Sequence, residues 1–132
     1  MLRYGLLSVL ILGLVACAPA APPRPAGPTI DGLAFENATR DDLHEVQLRV
    51  PAIRGMVACG YIPGGASCST TFPVRQYQGN AIVVSWQQRG RQWETRPMVL
   101  PLPKVPAGTH LRAVVTILDG GDYDARLVPV TR

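Results

Sequence analysis

A β-hairpin is predicted by the segment IVVSWQQRGRQWET, which occupies residues 82–95. Apolar side chains recur at every second position of its first arm, and Arg89-Gly90 suits a two-residue hairpin loop. That loop sets up three facing pairs: Trp86 with Trp93, Val84 with Thr95, and Ile82 with Pro97. One face of the hairpin is then apolar and the other polar, so the register is consistent with a half-buried antiparallel sheet.

Segments of similar length lie on both sides of this hairpin, separated by turn residues. The strand-like segments are 33–37, 46–50, 55–62, 68–74, 111–117 and 123–130. Thirteen Pro and thirteen Gly favour short elements joined by turns over long helices. Between the last two segments, a three-residue loop would place Ile117 opposite Tyr123 and Val115 opposite Ala125. We therefore predict an odd-numbered loop, with Gly supplying a positive φ or a bulge.

The fold class predicted from this pattern is all-β, because no segment shows a sustained helical period. We expect an antiparallel sandwich of seven or eight short strands over residues 29–132. The strand spacing resembles the immunoglobulin-like or transthyretin-like sandwiches common in bacterial envelope lipoproteins. The resemblance departs from antibody domains in one respect. Their disulfide spans a long sequence gap between two sheets, whereas Cys59 and Cys68 are only nine residues apart.

Cys59 and Cys68 flank a turn at Pro63-Gly64-Gly65. Strands that fold back at this turn would bring the two thiols within bonding range, so we predict a structural disulfide. A redox or metal-binding role is disfavoured, because the spacing is not Cys-x-x-Cys and no His follows closely.

A secretory signal peptide is predicted for residues 1–16, from Arg3 followed by an apolar segment over residues 5–15. This segment is too short to span a bilayer, which needs about 20 residues. It ends in Leu14-Val15-Ala16-Cys17, which resembles the lipobox of bacterial lipoproteins. The resemblance implies cleavage before Cys17, a diacylglycerol on the Cys17 sulfur and an acyl chain such as palmitate on its amine.

Residues 17–28 are predicted to form the lipidated Cys and a Pro-rich tether, because five of the eleven residues from Ala18 to Pro28 are Pro. In polyproline II at about 3.1 Å per residue, the tether would reach roughly 34 Å. The expected location is the cell envelope, facing the periplasm. Ala18 after the lipidated Cys favours the outer over the inner membrane.

The net charge of the chain is +4, and it falls to about +3 once Arg3 leaves with the signal peptide. Along the sequence this small excess is spread out, which is typical of a solvated Arg-rich surface. A weak attraction to anionic lipid headgroups stays open. Nucleic acid is not an expected partner of a protein with a secretion signal.

No motif predicts a catalytic residue, a metal or a cofactor, so we do not expect an enzyme. Four sets of residues were candidates: the histidines His44 and His110, the acidic turn Asp119, Asp122 and Asp124, the Gly65–Ser69 segment, and the aromatics Tyr77, Trp86 and Trp93. The histidines lack copper-site spacing, the acidic turn lacks the EF-hand Glu, and the serine segment fails the G-x-S-x-G pattern. The aromatics suit a core, because the hairpin register places both tryptophans on the apolar face.

The function expected from these features is binding or structural. We expect a lipid-anchored envelope protein that docks to a protein partner at the membrane surface, by a sheet edge or a loop face. The alternative is a carbohydrate-binding module for peptidoglycan or surface glycan, which would require exposed aromatic side chains.

Overall fold

The structure, a computed structural model, describes residues 17–19 and 27–131. The predicted signal peptide and most of the predicted tether therefore lie outside the described residues. Eight strands follow Pro28: β1 (Thr29–Asn37), β2 (Leu43–Val50), β3 (Gly55–Ile62), β4 (Ser67–Gln76), β5 (Val83–Gln88), β6 (Arg91–Glu94), β7 (His110–Ile117) and β8 (Tyr123–Pro129). Within the described ranges, no helix is long and apolar enough to cross a membrane.

The strands form two four-stranded sheets, in the orders β4-β1-β7-β8 and β3-β2-β5-β6. The all-β sandwich predicted from the sequence is confirmed. Immunoglobulin constant domains combine sheets of four and three strands, so the two sheets of four differ from that arrangement. Every strand pair is antiparallel except the central pair of β1 and β7, which is parallel. Parallel neighbours need a long connection, and here the intervening strands supply it.

The core lies between the two sheets and is filled by alternate residues of their inner faces. Its most buried large side chains include Leu33 and Phe35 of β1, Trp86 of β5, and Leu111 and Ile117 of β7, all no more than 1% exposed. Branched aliphatic and aromatic residues at period two give each strand one inward face, as the sequence pattern predicts.

The hairpin of β5 and β6 has the predicted register near its loop, where Trp86 faces Trp93 and Gln88 faces Arg91. Farther from the loop, the register is shifted by one residue. Ile82 pairs with Met98 there instead of with Pro97. At the slip, the Thr95 backbone N–H donates to the Val84 carbonyl, and the Thr95 hydroxyl accepts from the Val84 N–H. The hydroxyl thus replaces a backbone carbonyl in the ladder.

The hairpin of β7 and β8 also follows the prediction, with Ile117 opposite Tyr123 and Val115 opposite Ala125. Leu118 and Asp122 close a three-residue loop of Asp119-Gly120-Gly121, in which both glycines have positive φ.

The disulfide between Cys59 and Cys68 is present, with the two Cα atoms 6.3 Å apart. The expectation that β3 and β4 fold back on each other is wrong, because they belong to different sheets. The four residues 63–66 carry the chain from one sheet to the other, and the disulfide joins the two edge strands across the sandwich. The bond is therefore an intersheet link despite its short sequence separation.

The connections gather at two ends of the sandwich. The tether end contains the start of β1 and the connections at residues 51–54, 77–82 and 95–109. The distal end contains the connections at residues 38–42, 63–66, 89–90 and 118–122. The predicted tether precedes β1 at Thr29, so the distal end lies at the opposite end of β1 from the entry of the chain.

Candidate functional site

A cleft of about 600 Å³ opens at the distal end of the sandwich. Three connections form it: the loop between β1 and β2, the tip of the β5–β6 hairpin and the turn between β7 and β8. The cleft is lined by Arg40, Asp41, Gln88, Arg89, Arg91, Trp93, Asp119 and Gly120. Because several loops build this cleft together, we take it as the candidate site.

The loop between β1 and β2 is held by Asn37, which is 2% exposed. Its amide nitrogen lies 2.8–3.0 Å from the carbonyl oxygens of Asp41, Ile62 and Pro63 and donates to them. Its side-chain oxygen accepts from the backbone N–H and the hydroxyl of Thr39. The buried side chain therefore fixes this loop to the turn after β3.

Close backbone packing holds the same two loops together at Gly64. A Cβ atom placed there would meet the Arg40 carbonyl oxygen at 2.6 Å, so only Gly permits this approach. The Gly64 N–H also donates to the Asp42 carboxylate. The wall of the cleft that carries Arg40 and Asp41 is therefore rigidly placed.

Asp41 connects the loop between β1 and β2 to the tip of the β5–β6 hairpin. Its carboxylate accepts from the Gln88 amide at 2.8 Å and lies 2.9 Å from the Arg89 guanidinium. The hydrogen bond from Gln88, followed by that from Arg89, lowers the pKa of Asp41 below its usual value. Asp41 therefore stays ionised and neutralises Arg89 at neutral pH.

Trp93 forms the other wall, and its ring is already occupied. It stacks on Trp86 at a centroid distance of 6.5 Å, and the Arg91 guanidinium lies 4.1 Å from its ring centroid. A Cβ atom at Gly121 would come within 2.3 Å of two ring carbons, so the glycine backbone packs directly on the ring. The indole is a structural support for Arg91 more than an open stacking surface.

The cleft is lined by both positively and negatively charged side chains. Arg40 and Arg91 make no ion pair with a carboxylate of the described residues, whereas Arg89 is paired with Asp41. Asp119 contributes an exposed carboxylate on the facing turn. Arrays of this kind suit the polar groups and charges of a protein surface, since two guanidinium groups and one carboxylate remain available for new contacts.

The structure does not bring the other predicted candidates together. His44 contacts the Tyr61 ring near the distal end, whereas His110 pairs with Asp31 near the tether end. Ser67 and Ser69 of the Gly65–Ser69 segment lie within β4, so this segment runs from the turn into a strand instead of lying between two strands. Within the described part of the chain, no group of three or more His, Cys, Asp or Glu could hold a metal ion.

The three acidic residues after β7 have different surroundings in the structure. The Asp122 carboxylate accepts from the Tyr123 N–H, and Asp124 pairs with Arg126 at 2.8 Å. Asp119 alone reaches the cleft.

The three aromatics weighed as a sugar platform are covered to different degrees. Trp86 is 1% exposed and packs in the core. Tyr77 is half-buried and donates its hydroxyl to the Leu100 carbonyl, and burial raises the pKa of that hydroxyl. Trp93 is half-buried beneath Arg91. No two of these rings form an open platform.

The sequence pattern indicated only a connection between the strand-like segments 33–37 and 46–50, and it did not identify the cleft. Asn37 and Thr39 gave one usable signal, because an Asn-x-Thr sequence beside a strand suits side-chain to backbone bonding in a turn. The meeting of Asp41 with Gln88 and Arg89 carries no sequence signal, since 46 intervening residues separate Asp41 from Gln88.

Cys17 is exposed and carries a free thiol, outside the sandwich. The lipidation predicted for it is a covalent modification that depends on the segment before it, so it stays a prediction.

Comparisons with known proteins give no functional assignment. No protein-family model matches the chain, and no curated protein sequence matches it. The NMR structure of a protein from Eubacterium rectale is similar at 10% sequence identity and a TM-score of 0.45, over 76% of this chain and 88% of that chain. Function is therefore argued from the geometry of the chain itself.

Proposed function

We propose that this protein is a cell-envelope lipoprotein, anchored through Cys17, that docks to an envelope protein partner with the distal end of its sandwich. The observation that carries the proposal is the placement of the cleft and the chain entry at opposite ends of the domain. A domain held by its N-terminus at a membrane presents its far loops to the periplasm, and here those loops line the cleft.

Docking by a sheet edge is less well supported than docking by the distal loops. The four edge strands are β3, β4, β6 and β8. β6 has only four residues, β4 contains Pro73, and β8 carries alternating charges and ends at Pro129. These features are typical of protection against pairing with another strand, and they apply to three of the four edges.

The carbohydrate-binding alternative gains no support from the same geometry. Sugar platforms need open aromatic faces, whereas Trp86 is buried and Trp93 is covered by Arg91 and Gly121. Guanidinium and carboxylate groups around a rigid cleft fit a polar protein surface better.

The anchor is tested by fractionating cells that express the wild-type protein or the Cys17→Ser variant. After the membranes are washed at high salt, we expect the wild type in the membrane fraction and the variant in the soluble fraction, since no lipid is attached to serine. The double variant Cys59→Ala/Cys68→Ala is the matched control and should stay with the membrane. A Cys17→Ser protein that remains membrane-bound would contradict the anchor.

The docking face is tested by placing a photo-crosslinking amino acid at Arg40 or Asp119 in living cells, with Lys104 at the tether end as the matched control position. All three side chains are exposed. We expect one discrete protein adduct from the distal positions and not from Lys104. An adduct of the same protein from Lys104 alone would refute the assignment of the distal end.

A further inference from the structure

Large exposed apolar side chains concentrate at the tether end. Six such residues occur in the described part of the chain, and Tyr61 is the one near the distal end. The other five are Ile53, Met56, Val74, Val99 and Leu102, each between 48% and 63% exposed. They belong to the connections at residues 51–54 and 95–109 and to the adjoining ends of β3 and β4. Exposed apolar side chains that gather at one end indicate an interaction site, whereas singly scattered ones need no explanation.

Charge is also separated between the two ends, although it is spread along the sequence. In the sheet β4-β1-β7-β8, the paired residues Leu33, Ala113 and Leu127 lie midway between the tether end and the distal end. In the other sheet, Ser85 of β5 lies just on the tether side of the midpoint. On the tether side of these midpoints the cations are Arg49, Arg54, Arg75, Arg96, Lys104 and Arg112. Only Asp31 and Glu94 oppose these six, which leaves a net charge of +4 among residues 27–131 on that side.

The distal half has the opposite sign. Its carboxylates are Glu36, Glu45, Asp124 and the four acidic residues of the connections at residues 38–42 and 118–122. Four arginines accompany these seven carboxylates, so the distal half has a net charge of −3 within the same described range. A domain with this separation aligns in the field of a charged surface, with its basic end toward negative charge.

The chain itself restricts where the tether end can lie. Cys17 is separated from β1 by the eleven residues 18–28, which span roughly 34 Å even when extended as polyproline II. If Cys17 is lipidated, the tether end is held within that distance of the bilayer at an effective concentration of the order of millimolar. A weak intrinsic affinity is then enough to seat the domain.

We infer that the tether end of the sandwich is a membrane-docking surface, in which the exposed apolar side chains enter the headgroup region of an anionic bilayer and the surrounding cations contact lipid phosphates. This combination of apolar and basic side chains is that of interfacial binding. Docking also fixes the orientation of the domain, because it turns the distal cleft away from the membrane. The inference rests on the proposed anchor only for the high local concentration.

The test uses the processed chain, residues 17–132, with Cys17→Ser, so that binding does not depend on a lipid. Its partitioning is measured by cosedimentation, at low ionic strength, with vesicles of phosphatidylcholine alone or with 40 mol% phosphatidylglycerol, a composition chosen for the test and about that of an anionic surface. We expect clear preference for the anionic vesicles and its loss at high salt. A preference of less than about twofold would overturn the inference, since each cation near such a surface is worth about fivefold.

Matched charge variants then locate the surface. Arg96→Gln/Lys104→Gln removes two exposed cations from the tether end, and Arg40→Gln/Arg91→Gln removes two from the distal end. None of the four makes an ion pair within the described residues, so both variants should fold. We expect the first to weaken anionic vesicle binding about 30-fold and the second less than about twofold. Equal losses would show nonspecific attraction and refute the assigned surface.

Val99→Ser/Leu102→Ser tests the apolar component, with Tyr61→Ser at the distal end as control. Both changes affect side chains about half exposed, and thermal melting confirms that they fold. We expect a loss of about tenfold for the first variant alone, consistent with partial burial of two apolar side chains. Self-association that Val99→Ser/Leu102→Ser abolishes, without vesicle binding, would overturn the inference and assign the surface to a second copy of the chain.

The two proposals fail separately. Wild-type protein that is not lipidated, together with vesicle binding by the Cys17→Ser chain, would refute the anchor and retain the docking surface. Lipidated wild-type protein, together with a Cys17→Ser chain that does not bind anionic vesicles, would retain the anchor and refute the docking surface.

Discussion

The two ends of the sandwich differ in construction as well as in charge. At the distal end, short loops are fixed by a buried Asn, by glycines packed against backbone and indole, and by an intersheet disulfide. At the tether end, the 95–109 connection is longer and carries exposed apolar side chains. A rigid surface suits recognition of one protein shape, whereas an adaptable apolar surface suits a fluid bilayer. The difference can be tested residue by residue.

The largest effect is expected for Asn37→Ala. The substitution leaves three carbonyls and the Thr39 donors without their buried partner, so we expect the free energy of unfolding to fall by about 4 kcal/mol. At the tether end, Thr109→Ala removes an exposed hydroxyl bond to Pro106 and should cost less than about 1 kcal/mol. Urea denaturation measures both. Similar costs would show that the distal loop is not held more firmly than the tether-end loop.

Gly121→Ala should be next, at about 3 kcal/mol. The added methyl group meets the Trp93 ring and also stands at a positive φ of 78°. Gly79→Ala in a tether-end connection has a similar φ of 67° and open space around it, so only the backbone cost of about 1 kcal/mol applies. The difference between the two variants isolates the contact with Trp93. Equal destabilisation would mean that Trp93 moves aside without cost.

Cys59→Ala/Cys68→Ala should lower the free energy of unfolding by about 2.5 kcal/mol, from the entropy gained by a released ten-residue loop. Because the bond links β3 to β4 across the sandwich, we expect hydrogen exchange to quicken in these two strands more than in β6 and β8 on the other side. Uniform acceleration across all strands would argue that the bond stabilises only through the unfolded chain.

The smallest effect concerns pH. The bonds from Gln88 and Arg89 lower the pKa of Asp41, so their stabilisation is complete above the unfolded value of 3.8 and is lost as pH falls through the folded value. The melting temperature of the wild type should therefore fall more than that of Asp41→Asn below about pH 4. Parallel pH profiles would indicate that the Asp41 contacts add nothing to stability.

Local pattern was enough to predict the strands, both hairpin loops and the disulfide. Period-two alternation fixes which side chains of β5 and β7 face inward, and Arg89-Gly90 and Gly120-Gly121 fix their turns. The slip at Met98 was not predicted, because the Thr95 hydroxyl replaces a backbone acceptor and leaves no trace in hydrophobic pattern.

Features that depend on the order of strands in the sheets were beyond sequence reasoning. β3 and β4 were expected to fold back on each other at the turn Pro63-Gly64-Gly65, and only the sheet order shows that Cys59 and Cys68 join two layers. The distal cleft and the separation of charge between the two ends also depend on the order of the strands in the sheets. Arg96 and Arg40 look equivalent in the sequence, and the fold places them at opposite ends of the domain.

The position of β1 has a mechanical consequence. Any force carried along the chain into Thr29 acts on a strand that is hydrogen-bonded on both sides, by β4 and by β7. Because the pull runs along the strand, it loads these transverse bonds together in shear instead of opening them one at a time from an edge. A domain pulled by its N-terminus would therefore resist extension at the point where the load enters.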